Sequence, residues 1–324
     1  MRGADLSRFR FDYDETWAAF FLNARGRLYA RVFGRDATSA MSHRSPEGLA
    51  ATMEAVLEIH RKEADQGAEA LPPSRWSRIE DVPAYRRWRR PGDCVHCHTV
   101  REDLTRQAIE EGTWKREDLW TWPPPEAWGL TLSLREPPKI GEVNPGSFAD
   151  RAGLRAGDVL RRVGPARIVS WGDLFAALDA APARSDVDVV YDRAGAEGRA
   201  TLRLDGEWRR TDLSWRASIE ALPPDPGFHG RDLDASERKA LGLESNMLAV
   251  RVQSVFKGGA AHWAGLQKND VVVSLAVEDR RISRAMDGRH LQAWFRTDCV
   301  PGDRVTVEFL RSGARRTAAL ELAK

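Results

Sequence analysis

Two of the chain's three cysteines and two of its seven histidines lie in one short stretch, RRPGDCVHCHTVRED, residues 89–103. Cys94, Cys97 and His98 form the pattern C-x-x-C-H, the spacing through which c-type haem is attached. The two thiols add to the two vinyl groups, and the histidine that follows can ligate the iron from the proximal side. A helix expected to begin at Cys97 would present all three groups at its N-terminus. We therefore predict a haem c site with His98 as the iron ligand.

Other chemistries fit the same residues and stay open at this point. Cys94 and Cys97 could form a dithiol–disulfide switch, because a helix N-terminus lowers the pKa of a thiol and makes it reactive. They would then be the catalytic residues of a thiol–disulfide oxidoreductase. A zinc site needs a second ligand pair, which the sequence lacks. The cysteines could also be inert, either as a structural disulfide or as unmodified thiols.

The composition limits the class of protein. With 324 residues, 42% hydrophobic and 30% charged, the chain can build two or three compact domains. Its net charge of +2 gives no reason to expect nucleic acid or a membrane surface as a partner. No window approaches the roughly 18 apolar residues of a membrane helix. The start MRGADLSRFRFDYDE has no apolar segment of a signal peptide. The isolated Cys299 is expected to be a small buried or half-buried apolar residue.

The N-terminal region predicts a β-hairpin and then a helix. WAAFFL and RLYARVF are strand-like and flank a turn at residues 23–26. Ser45 and Pro46 suit the N-cap and the first position of the helix that follows. Residues 65–93 are rich in Pro, Arg and Trp without a period, and we expect an extended linker there. We divide the chain into segments at 1–64, 65–127, 128–205, 206–227 and 228–324.

An internal repeat organises the second half of the chain. GSFADRAGLRAGDVL at 146–160 aligns with GGAAHWAGLQKNDVV at 258–272. Each copy precedes a predicted helix, Trp171 to Ala180 and Met286 to Arg296, and then a hairpin. The Gly of each Ala-Gly-Leu should provide a left-handed cap that ends a short helix. Gly157 and its counterpart Asn269 should adopt positive φ.

This repeat resembles bacterial PDZ domains, so residues 128–323 resemble a tandem PDZ pair. The resemblance implies that protein or peptide clients add as an extra β-strand beside a helix, after a carboxylate-binding loop. The matching positions in the first domain are Gly129, Leu130, Thr131 and Leu132, with Phe175 and Leu178 on the helix. In the second they are Met247, Leu248, Ala249 and Val250, with Leu291 and Phe295, and this copy lacks the loop glycine there.

The N-terminal segment FDYDETWAAFFLNARGRLYARVFGRDA with its helix resembles the second half of a thioredoxin-like domain. The whole chain is thus similar to bacterial proteins that join a thioredoxin-like domain, C-x-x-C-H and paired PDZ domains. Its fold class would be α+β and multi-domain. The first half of the thioredoxin-like domain is missing, so we expect Met1 to be an internal start with a signal peptide encoded upstream. The protein would then lie in the periplasm or cell envelope, whereas a true start at Met1 would make it cytoplasmic.

These observations predict a PDZ adaptor that binds protein clients near a covalent haem, with an electron-transfer partner. The alternatives are an oxidoreductase acting on PDZ-recruited clients and a plain scaffold with inert cysteines. PDZ pairs often serve serine proteases of the envelope. The chain has no G-D/N-S-G-G or G-x-S-x-G nucleophile motif, so we do not expect a protease.

Overall fold

The computed structural model describes residues 1–64, 73–90, 92–283 and 287–322. They form two compact units, Met1–Asp212 and Leu213–Lys324, and each unit combines helices with antiparallel β-strands. Within these ranges no helix combines the length and the apolar character that crossing a membrane requires.

The first unit begins with the hairpin and the helix that the sequence predicts. The hydroxyl of Ser45 accepts the N–H of Gly48 at 3.0 Å and Pro46 takes the first helical position, so the predicted N-cap is confirmed. Val56 of the helix packs on Tyr29 and Ala30 of the hairpin. In chain order these elements are β1 (Ala19–Leu22), β2 (Leu28–Val32) and α1 (Pro46–Glu63).

Part of the stretch predicted as an extended linker is folded. Ile79, Val82 and Ala84 are fully buried and cluster with Val100. The amide of Gln107 also accepts the N–H of Ala84 at 2.8 Å. These contacts join sequence-distant residues without a periodic pattern, which explains why the sequence did not reveal them. The two helices that pack here are α2 (Pro83–Trp88) and α3 (Cys97–Glu110).

The rest of the first unit contains the first copy of the repeat. Its elements are β3 (Leu130–Leu132), β4 (Ile140–Val143), α4 (Phe148–Arg151), β5 (Val159–Val163), β6 (Ala166–Arg167), α5 (Trp171–Ala180), β7 (Ser185–Arg193) and β8 (Ala196–Leu204). β3 pairs with β4, and a separate sheet has the order β6-β5-β7-β8. Trp128, Leu160, Leu174 and Leu202 are at most 1% exposed and form the centre of the core.

The second unit is built around one larger sheet. Its elements are β9 (Phe228–Asp232), α6 (Ala235–Ala240), β10 (Val250–Val255), α7 (Ala260–Trp263), β11 (Val271–Val277), β12 (Arg280–Ile282), α8 (Gly288–Asp298), β13 (Arg304–Arg311) and β14 (Ala314–Glu321). The sheet order is β14-β13-β11-β10-β9, with β12 beside β11. Cys299 is fully buried in this core, as the sequence predicts.

The turns of the repeat confirm the backbone predictions in both units. Gly153 and Gly265 have φ of 79° and 77° after their short helices, which is the left-handed cap expected of glycine. Gly157 has φ of 92° and Asn269 has φ of 76°. Asn therefore replaces Gly at a position that needs positive φ, because its short polar side chain tolerates the left-handed region.

Candidate functional site

The first predicted groove has β3 and α5 as its two walls. Gly129 precedes β3 with φ of 78°, and a Cβ there would lie 2.1 Å from the Cβ of Ser147. Only glycine fits this turn. β3 pairs with β4 on one side, and no other described strand pairs with it. The second edge of β3 therefore has no partner strand among the described residues, and an added peptide strand would pair with that edge.

The structure brings the predicted apolar residues of this groove together. Leu130, Leu132, Phe175 and Leu178 belong to one cluster, and each is at most 3% exposed. Thr131 is half-buried and opposite Glu142 of β4. These side chains are thus packed in the core of the unit and offer little exposed surface to a peptide.

Residues near His43 contact this region from within the same unit. Nε2 of His43 lies 2.9 Å from Oε1 of Glu126, in the turn before β3. The same ring packs on Trp171 and Phe175 of α5, with centroid separations of 4.6 and 5.4 Å. The hydroxyl of Ser45 donates to the carbonyl of Leu134, just past β3, at 2.8 Å. Residues 43–45 therefore contact α5 and the residues that flank β3 at its two ends.

β2 is attached to the beginning of α5. The N–H of Arg31 donates to Oδ1 of Asp173 at 3.1 Å, and the hydroxyl of Ser170 donates to the Arg31 carbonyl. Burial raises the pKa of Asp173 to about 6, although the Arg31 charge and several hydrogen bonds act in the opposite direction. The ring of Phe33 then packs on Phe175 with centroids 5.7 Å apart. Sequence reasoning missed these contacts, because they join residues more than a hundred positions apart.

The residues predicted for the second groove lie in the interior of their unit. Leu248, Val250, Leu291 and Phe295 are fully buried in one cluster, whereas Ala249 belongs to a cluster on the other side of the sheet. Met247 precedes β10 and is half-buried. β10 has β9 on one side and β11 on the other, so it offers no edge to a peptide. The candidate edge for peptide pairing is therefore not Met247–Val250 but β9, the strand at the end of this sheet.

β9 has the features that were predicted for Met247–Val250, together with the loop glycine that is absent there. Gly227 has φ of 80°, and a Cβ on it would lie 2.8 Å from the N of Ala260. It therefore corresponds to Gly129 of the first unit. The two copies are out of register here because α6 is inserted between β9 and β10. The signal that could have found it is the dipeptide Gly227-Phe228 ahead of a strand, as in Gly129-Leu130.

Hydrogen bonds show which backbone groups of β9 point towards α8. The Gly227 carbonyl accepts the Phe256 N–H at 2.9 Å and so faces β10. The next carbonyl, that of Phe228, accepts Nε2 of Gln292 at 2.9 Å and so faces α8. A Cβ on Gly288 would lie 3.1 Å from the carbonyl oxygen of Gly230. The edge of β9 thus faces α8, and Gln292 makes the bond that a peptide N–H would make.

The C-x-x-C-H residues lie where the sequence places them, at the N-terminus of α3. Cys94 is exposed and Cys97 is half-buried. Burial raises the pKa of the Cys97 thiol, the opposite of the shift that a reactive cysteine needs. Nδ1 of His98 lies 2.8 Å from Oε1 of Glu102. The described residues contain no group of three or more His, Cys, Asp or Glu side chains that could hold a metal ion.

Comparison with known proteins identifies part of this chain. The sequence model of the PDZ domain matches residues 121–191. The periplasmic pH-dependent serine endoprotease DegQ of Escherichia coli (strain K12) is 27% identical over 149 residues, 46% of this chain and 30% of DegQ. The probable periplasmic serine protease do/HhoA-like of Haemophilus influenzae is 24% identical over 149 residues, 46% of this chain and 29% of that protein. The chain thus spans less than a third of these relatives.

Among solved structures, the HtrA-type protease AlgWS227A with decapeptide has a TM-score of 0.28 and 19% identity, covering 43% of this chain and 40% of that one. AlgW with tripeptide has a TM-score of 0.25 and 24% identity, covering 30% of each chain. At these TM-scores the likeness does not bear on the fold.

The comparisons correct four sequence-based predictions. The predicted haem c site at Cys94, Cys97 and His98 and the redox alternative are wrong, because the relatives are named as serine proteases. The predicted function, an adaptor with a redox centre, is wrong with them. The expectation that the chain is not a protease is likewise contradicted by the names of both relatives. The PDZ prediction for the first domain is confirmed.

Proposed function

We propose that this chain recognises segments of protein substrates for an HtrA-type serine protease of the periplasm. The PDZ match over residues 121–191 and the serine proteases that share 149 residues with the chain support this role. The proposal includes a second PDZ domain in residues 228–322. The thioredoxin-like interpretation of residues 1–64 stays a prediction, for which the hairpin β1–β2 followed by α1 is the support.

The single observation that carries the proposal is the edge of β9. No described strand pairs with its second edge, and α8 lies beside it. The left-handed Gly227 stands before it, as Gly129 stands before β3. A peptide that adds to β9 would donate an N–H to the Phe228 carbonyl, which Gln292 occupies in the free protein. We infer that peptides bind there in extended form, with their free carboxylate at Gly227.

The replacement Gln292→Ala tests this geometry. In the wild type a peptide must first break the bond from Gln292 to Phe228, which costs about 0.5–1.5 kcal/mol of binding free energy. The variant does not have this bond to break, so it should bind the peptide roughly two- to tenfold more tightly. Fluorescence anisotropy with labelled decapeptides that end in a free carboxylate measures the affinity. Arg289→Ala, an exposed change on the same helix, is the matched control.

Two modified peptides sharpen the result. Amidating the C-terminus should weaken binding, and N-methylating the amide that donates to Phe228 should weaken it further and abolish the gain of Gln292→Ala. If the variant and the wild type bind equally, β9 is not the docking edge. Gln292 also hydrogen-bonds the buried Arg296, so the melting temperature of the variant is recorded alongside.

The proteolytic half of the proposal needs a separate experiment. In DegQ, the stretch that matches this chain is replaced by the corresponding residues of this chain, and casein cleavage is followed. The chimera should cleave casein, and a decapeptide that binds the grafted residues should change the rate. A chimera whose rate is insensitive to every peptide that binds the isolated chain would argue against a role in substrate recognition.

A further inference from the structure

We propose that residues 31–48 occupy the groove of the first PDZ domain as an internal ligand, so that an external peptide binds there only by displacing them. This inference rests on the proposed function, since it concerns regulation of the same kind of site. It goes beyond that function because it assigns an occupant to the first groove and makes the first domain a gated site.

The segment contacts α5 on one side and the residues that flank β3 on the other. His43 reaches Glu126 on the β3 side and packs on Trp171 and Phe175 on the α5 side. Its side chain is only 2% exposed. The buried imidazole thus lies between the helix and the strand side of the groove. His43 therefore takes the position of a ligand side chain.

The carbonyl groups at the end of β3 are the second argument. The Leu134 carbonyl accepts the hydroxyl of Ser45 at 2.8 Å, and the Ser133 carbonyl accepts Nε1 of Trp171 at 3.4 Å. A peptide strand added to β3 would extend towards these acceptors. An external peptide must therefore displace Ser45 before it can pair along the whole edge.

Two glycines allow the segment to approach this closely. A Cβ on Gly172 of α5 would lie 2.5 Å from the Arg31 carbonyl oxygen, and a Cβ on Gly48 of α1 would lie 2.2 Å from the Leu134 carbonyl oxygen. Both distances are shorter than any tolerated contact. Glycine in a helix is intrinsically less favourable than alanine by roughly 1 kcal/mol. The structure thus uses an unfavourable residue at the two places where the segment contacts the PDZ walls.

The segment also indicates what the groove accepts. Phe33 is fully buried, and its ring centroid lies 5.7 Å from that of Phe175 and 5.6 Å from that of Trp122. A competing peptide needs an aromatic side chain to replace these contacts. A chain terminus that ends in phenylalanine has the required chemistry.

Gly48→Ala, Gly172→Ala and the double variant test the proposal. Each adds one methyl group that pushes the segment away while favouring the local helix. Gly141→Ala is the matched control, because a Cβ there meets its nearest atoms at an ordinary 3.5 Å. The probe is a fluorescein-labelled decapeptide ending in phenylalanine, and hydrogen exchange at residues 130–132 reports binding to the first domain separately from the second.

The double variant should bind the probe at the first domain at least about tenfold more tightly than the wild type or Gly141→Ala, since affinity falls with the fraction of competent molecules. In the wild type, saturating probe should protect amides of 130–132 and speed exchange at 31–34 and 43–48. Wild-type protection of 130–132 without faster exchange in the segment would overturn the inference, and so would equal affinities. If neither protein binds any peptide at either domain, the proposed function itself fails.

Discussion

Removing the carboxylate of Asp270 should loosen the strand that supports β9. Oδ1 and Oδ2 of Asp270 accept Nε and Nη2 of Arg311 at 2.7 and 2.6 Å, and the same guanidinium donates to the Gly265 carbonyl at 2.8 Å. This ion pair holds the turn whose backbone pairs with Val252 of β10, through bonds of 2.8 and 2.9 Å. Because β10 is the neighbour of β9, the pair stabilises the candidate docking edge indirectly.

The magnitude follows from the burial of the two side chains. Asp270 is 1% exposed, and Arg311 is 22% exposed. Two charge-assisted hydrogen bonds to a buried carboxylate are worth about 1.5–3 kcal/mol each when desolvated. Water reaches the guanidinium and can replace part of the interaction. We therefore expect a coupling energy of about 1–2 kcal/mol between the two side chains.

A double-mutant cycle of Asp270→Ala and Arg311→Ala in the full chain measures this coupling. Hydrogen exchange of the β10 and β11 amides gives the opening free energy of this unit without assuming that both units unfold together. The exposed pair of Arg280 and Asp298, whose closest approach is 3.6 Å, is the control and should give less than about 0.5 kcal/mol. A coupling for Asp270 and Arg311 no larger than that of the control would refute the reasoning.

Two further predictions concern pH and thiol chemistry. Because the folded-state pKa of Asp173 is raised to about 6, folding binds a proton there, and this contribution to stability is complete below about pH 4 and is lost as the pH rises through 6. A shift of about two units in the pKa of Asp173 corresponds to roughly 3 kcal/mol of folding free energy. Asp173→Asn should therefore flatten the change of melting temperature between pH 4 and 7. An unchanged profile would contradict the assignment. Iodoacetamide should modify exposed Cys94 faster than half-buried Cys97, and buried Cys299 only after unfolding. Mass spectrometry of time points checks the order, and a Cys97 that reacts first would contradict the effect of burial on its pKa.

The sequence predicted the repeat well because its signals are local. Ala-Gly-Leu, the positive-φ positions at Gly157 and Asn269, and the cap at Ser45 each depend on a few neighbouring residues. The predicted helix from Trp171 to Ala180 has the same bounds in the structure. Helix caps and positive-φ turns are determined by neighbouring residues, independently of the side chains that pack on them.

The sequence could not predict features that depend on distant contacts. The burial of Ile79 and Val82 comes from packing with residues near Val100, and part of the covering of α5 comes from the distant His43. The candidate edge β9 was missed because α6 shifts the alignment of the two copies. The C-x-x-C-H spacing likewise did not indicate that Cys97 packs against the core of the first unit, where burial raises the pKa of its thiol.

One position of the repeat differs between the two proposed grooves and would close them differently. Phe175 lies five residues after the N-cap Ser170, and Gln292 lies five residues after the N-cap Asp287. In the first unit, the aromatic ring at this position packs on residues from a distant part of the chain. In the second, the amide bonds directly to the strand beside it. Opening the second groove therefore requires one side chain to move, whereas opening the first requires a whole segment to leave, so peptides should reach β9 more readily than β3.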